Sequence, residues 1–100
     1  MKLITIVIPV FNEEKHIMDC IHSVLAFKVP DQIQYEIWVI DGGSTDKTRN
    51  IIKSIQIDND SVQLMDNPGK TQSFAMNIAI QKSKADWIMR LDGHSIYPQS

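Results

Sequence analysis

The sequence predicts an α/β fold: a parallel four-stranded sheet in the order 3-2-1-4, with helices on both faces, half of a doubly wound domain. Two observations lead there. Short β-branched apolar runs alternate with segments of helical periodicity, and no hairpin turn joins any two of the runs. Runs one and two are continuously apolar, as interior strands are, whereas run three alternates apolar and polar, as an edge strand does. The 100 residues, 43% hydrophobic and 22% charged, suit one domain spanning residues 1–100.

Strand one is residues 3–8, too short for a helix and closed by Pro9. Asn12 is a good N-cap for the first helix, with Glu13 and Glu14 in the first turn and Ile17, Cys20, Ile21, Val24 and Leu25 forming one apolar stripe. Cys20 lies on that stripe and reads as a small core residue. Strand two, residues 37–40, ends at Asp41. Residues 42–46 then turn the chain, with Ser44 and Asp46 as caps, into a helix carrying Ile51, Ile52 and Ile55. Strand three is residues 62–65. After the turn at 67–69 a third helix presents Phe74, Ala75, Ile78 and Ala79 to the sheet. Strand four is residues 87–91, closed by Asp92, Gly93 and His94. Trp38 and Trp87 are expected in the core rather than as sugar-stacking platforms, and Arg90 is expected to pair with an acid rather than to contact a phosphate.

Composition removes several classes. A net charge of −2 gives no basic patch for non-specific nucleic-acid binding. The single cysteine excludes a disulfide framework and a thiolate metal cage. No apolar run approaches the roughly 18 residues that span a bilayer, and the stretch after Lys2 is too short for a signal peptide, so a cytoplasmic setting is expected. The apolar fourth strand would lie at an open edge. With such an edge the chain is expected to be the front part of a longer protein rather than a self-contained four-stranded domain, and the edge is a candidate surface for self-association.

Ligands of open parallel sheets bind beyond the carboxyl ends of the strands, where strand order reverses. Asp41, Asp92, residues 9–13 and all four glycines fall just after strand ends. The turn after strand one has no glycine and two acids, which removes the dinucleotide fingerprint. Gly69-Lys70-Thr71 lacks the upstream glycine of a phosphate-binding Walker loop. A nucleotide site of another design remains. Asp41 can accept hydrogen bonds from a base or ribose. Asp92 and His94, two residues apart, can aim at one divalent cation, Mg²⁺ or Mn²⁺.

Four segments carry a family resemblance: IPVFNEE at 8–14, VIDGGSTDKT at 39–48, NPGK at 67–70 and RLDGH at 90–94. Together the chain resembles the family 2 glycosyltransferases of the GT-A fold, whose N-terminal, Rossmann-like half binds a nucleotide sugar. The resemblance implies transfer from a nucleotide-sugar donor, usually UDP-linked, to an acceptor hydroxyl with inversion. The acceptor would be a saccharide or a lipid-linked sugar, met at the inner membrane face. It implies that Pro9, Val10, Phe11 and Glu13 line the base and ribose pocket, and that Asp41 meets the uracil imide. Gly69 and Lys70 would lie near base and diphosphate, and Asp92 at the sugar and metal end. His94 would take the metal-binding place of the family's D-x-D motif. There are two departures: Gly42 stands where a second acid is common, and His94 where a carboxylate is usual. A general base would lie beyond Ser100, so the chain is expected to supply a donor-binding half. The rival reading is a non-catalytic nucleotide-binding or self-association module.

Overall fold

A computed structural model describes residues 1–93. In chain order the elements are β1 (Lys2–Val10), α1 (Ile17–Leu25), β2 (Ile33–Asp41), α2 (Thr48–Asp58), β3 (Val62–Asp66), α3 (Gln72–Lys82) and β4 (Trp87–Arg90). All strand pairs are parallel and their order is β3-β2-β1-β4, as the alternation predicts. His94 lies outside the described residues.

Side-chain alternation along β1 and β2 divides the core in two. Ile6, Ile8 and Val10 join Ile37 and Val39 under α1 and α2, with Cys20, Ile21, Val24, Ile52 and Ile55 closing that layer. Val7, Trp38 and Ile40 face the other way, against Ala75 and Ala79 of α3. The small α3 residues let that helix approach the sheet closely. Two-sided burial explains why strands one and two read as unbroken apolar runs, with Val7, Ile8, Val39 and Ile40 wholly inaccessible. The one polar side chain inside β1, Thr5, is satisfied by Glu36 and Ser83 at 2.7 Å each.

Several local expectations are corrected. Helix α1 starts at Ile17, a turn later than Asn12 would set it. Asn12 sits at φ 51°, and its Oδ1 accepts instead from the Thr45 amide at 2.8 Å, across the gap to the β2–α2 loop. Neither of the two expected caps of α2 occupies its N-cap position, which is Lys47; Asp46, one residue earlier, still satisfies the Thr48 amide, its Oδ1 accepting at 2.9 Å. Ser44 does not, because its hydroxyl is turned back to Asp41. Phe74 is 45% exposed rather than core, because it lies on the flank of α3, over Gly69. Trp87 is 51% exposed: it pairs with Ile4 on the α1–α2 side, where the buried layer reaches only β1, β2 and β3. Among the described residues no helix is long and apolar enough to cross a membrane.

Candidate functional site

Parallel strands deliver Val10, Asp41, Asp66 and Arg90 to one rim. Neighbours β2 and β4 lie on opposite sides of β1, so the crossover reverses there and the loops splay apart. A cleft of about 290 Å³ opens at that point. One wall is Pro9, Val10, Phe11 and Glu13; the other is Asn67, Lys70, Thr71 and Gln72, with Asp92 completing it. The structure therefore brings together Pro9, Val10, Phe11, Glu13, Lys70 and Asp92 from three separate stretches of chain. Gly69 is beside this wall, pressed under the Phe74 ring: a Cβ there would lie 2.1 Å from the ring carbon Cγ.

The loops are tied to one another. The Gly42 amide donates to the Val10 carbonyl at 2.9 Å, and the Asn67 amide to the Asp41 carbonyl at 2.8 Å. The Glu13 amide donates to Thr48 Oγ1 at 2.8 Å, which holds the first loop against α2. Buried Asn67 donates to the Thr71 carbonyl at 2.8 Å and accepts from the Lys70 amide at 3.2 Å. This turn fixes Lys70 at φ 61°, with its side chain passing over Gly43. Gly43, at φ 96°, needs the freedom of glycine.

Asp41 is behind the cleft wall, not on it. Its side chain has no exposed surface. Oδ2 accepts from the Gly43 amide at 3.2 Å, the Ser44 amide at 3.0 Å and Arg49 Nη1 at 3.0 Å, and Oδ1 accepts from the Ser44 hydroxyl. Burial by itself would raise the pKa of this carboxyl; the Ser44, Arg49 and Gly43 hydrogen bonds outweigh it and hold it below the usual range. In this geometry Asp41 shapes the loop that borders the site. Arg49 Nη1 also reaches Asp66 at 2.7 Å, so one guanidinium joins the ends of β2 and β3.

Sequence reasoning missed Arg49, Asp66, the buried turn-holding role of Asn67 and the cross-loop role of Asn12. The available signal was Asp41 itself, since an acid closing an interior strand needs a cation, and Lys47 and Arg49 are the two that follow it within eight residues. Under the cleft, the Cys20 thiol donates to the Asp92 carbonyl at 3.4 Å; burial first, then the Asp92 charge, push it up to about 11. Such a thiol is a protonated core group.

Among the described residues no three His, Cys, Asp or Glu side chains cluster as a metal cage. Asp92 does present one carboxylate to the cleft. A single carboxylate fits a divalent cation whose other ligands are substrate phosphate oxygens and water.

The sequence model of Glycosyl transferase family 2 matches residues 5–100. A dolichyl N-acetyl-α-D-glucosaminyl phosphate diacetamido-dideoxy-glucuronosyltransferase of Methanococcus voltae is 35% identical over 99% of this chain and 31% of its own length. The succinoglycan biosynthesis protein ExoA of Rhizobium meliloti is 37% identical over 93% of this chain and 28% of its own length. The chain thus spans less than a third of these relatives. A mannosyltransferase of Pyrobaculum calidifontis, solved with GDP-Man and Mn²⁺, superposes with a TM-score of 0.84 at 19% identity, over 95% of this chain and 28% of that one. TarS of S. aureus in complex with UDP gives 0.75 at 22% identity, over 94% and 28%. These two likenesses confirm the fold as that of GT-A glycosyltransferases. None of these comparisons supports pairing of two copies through β4.

Proposed function

We propose, from the premise that this chain belongs to glycosyl transferase family 2, that it forms the donor-binding part of an enzyme moving a sugar from a nucleotide sugar, UDP-linked, to an acceptor hydroxyl with inversion. The observation that carries the reading is the cleft at the strand-order reversal, where Pro9, Val10, Phe11, Glu13, Lys70 and Asp92 converge. Phe11, 55% exposed at the cleft mouth, offers a flat apolar surface for a base. Glu13, 9% exposed, can accept from a base or ribose donor. Lys70 supplies positive charge for the diphosphate, and the Gly69 turn sets its position. Asp41 contributes by fixing the Gly43 and Ser44 amides at the rim.

Asp92, with His94 from outside the described residues, would hold a divalent cation, Mn²⁺ or Mg²⁺. That ion, when bound, supplies neutralising charge on the diphosphate leaving group. Support for this comes from the donor chemistry of Asp92 and from a relative in structure solved with Mn²⁺. Inversion requires the acceptor oxygen to approach opposite the departing diphosphate, with a carboxylate removing its proton; we place that base outside this chain. We assign the acceptor to the saccharide or lipid-linked saccharide class and the site of action to the cytoplasmic side of the membrane, at its surface.

Calorimetric titration of the full-length protein with UDP, GDP and CDP, with and without Mn²⁺, tests the reading. Saturable UDP binding that strengthens with Mn²⁺ and weakens in Asp92→Ala supports it. Absence of nucleotide binding, or binding indifferent to Asp92, contradicts it.

A further inference from the structure

Arg90 was expected to face an acid, and the structure shows otherwise. Among the described residues, ion pairs join Lys2 to Asp86 and Arg49 to Asp41 and Asp66, and Arg90 belongs to none of them. Its Nη1 donates to the side-chain oxygen of Gln72, the first residue of α3. A guanidinium is thereby positioned by a neutral amide and, among the described residues, is paired with no carboxylate.

The location gives that charge a use. Gln72 lines the nucleotide cleft and also a second, shallower cleft of about 430 Å³ that holds Arg90, Ser73, Met76 and Asn77. Gln72 is therefore common to both clefts, and Arg90, hydrogen-bonded to it, lines the second. Arg90 closes β4, two residues before Asp92 of the first cleft. Among the described residues that line the first cleft, Glu13 and Asp92 are acidic and Lys70 alone is basic. Bringing a diphosphate beside two carboxylates is unfavourable unless further positive charge is at hand. The planar fork of arginine matches phosphate oxygens bidentately, and a phosphate is a stronger partner for it than a neutral amide.

We propose that Arg90 is a phosphate ligand: it binds the distal phosphate of the donor where the two clefts meet, with Gln72 holding the guanidinium in place beforehand. This rests on the nucleotide-sugar reading above and adds to it a residue and the group it contacts.

The test is titration of the full-length protein with uridine and UDP in the presence of Mn²⁺, for wild type, Arg90→Ala, Arg90→Lys and Gln72→Ala. Loss of a charge-assisted contact should weaken UDP binding by roughly tenfold or more in Arg90→Ala while uridine affinity stays unchanged. Arg90→Lys should recover part of the loss, and Gln72→Ala should show a smaller loss, also confined to UDP. Retained uridine binding reports that the fold and the base pocket are intact. Equal UDP affinity in wild type and Arg90→Ala would overturn the assignment, and so would parallel losses for UDP and uridine. If the wild type binds neither ligand, the nucleotide-sugar reading itself fails.

Discussion

Replacing Asp41 by Asn isolates the charge that organises the rim. If the amide oxygen takes the place of Oδ2, it keeps the Gly43 and Ser44 amides and Arg49 as donors, and the new NH₂ meets the rotatable Ser44 hydroxyl. Shape and hydrogen-bond count survive; the negative charge opposite Arg49 does not. Hydrogen bonds to charged groups contribute about 1.5–3 kcal/mol each. Arg49 is 32% exposed, so solvent screens part of its share. The expected net loss is about 2 kcal/mol, or on the order of 10 °C in Tm for a domain of this size. Urea and thermal unfolding followed by circular dichroism at neutral pH would measure it. The pH dependence follows from the lowered pKa of Asp41. The stabilisation is fully present above the unfolded-state value of about 3.9 and is lost as pH falls through the lower folded-state value. The gap between wild type and variant should therefore be constant near neutrality and close in strong acid. Equal stability at pH 7, or a gap that does not narrow as the pH is lowered below about 3.9, would refute the reasoning.

Three further substitutions and one labelling experiment follow from the same geometry. Gly43→Ala forces a side chain onto a backbone at φ 96° and should cost about 1–2 kcal/mol in urea unfolding. Gly69→Ala places a methyl 2.1 Å from Phe74 Cγ and must displace the ring, so stability should fall. The same change made in a Phe74→Ala background should cost clearly less, and an equal cost in both backgrounds would mean the ring is not the obstacle. Cys20, buried and with its thiol pushed up to about 11, should react with a thiol-specific disulfide reagent at pH 8 only as fast as the protein opens. Labelling as fast as that of a free thiol would contradict its placement beneath Asp92.

The sheet order was legible because burial on two faces and on one leaves different patterns: Val7, Ile8, Val39 and Ile40 in unbroken runs, Gln63 alternating in β3. The convergence of Pro9, Val10, Phe11, Glu13, Lys70 and Asp92 followed from that order, since parallel strands send every carboxyl end to the same rim. Contacts between loops were not legible. Asn12 carries the local signature of an N-cap, yet its side chain is taken by the Thr45 amide 33 positions away, and no window of sequence contains that competition. Trp87 and Phe74 have core composition, but their exposure depends on how far the helices extend over the sheet. Arg49 was overlooked for a related reason: its two acidic partners meet it only after β2 and β3 pair.

The account stands on nucleotide binding at the cleft between the ends of β1 and β4, and amide chemical-shift mapping of the ¹⁵N-labelled chain during titration with UDP and diamagnetic Mg²⁺ tests that most directly. Shifts should concentrate at Val10, Phe11, Glu13, Lys70, Gln72 and Asp92, with the opposite end of the sheet, at Gln32 and Asp86, unmoved. No shifts at saturating UDP, or shifts gathered at that opposite end, would contradict it.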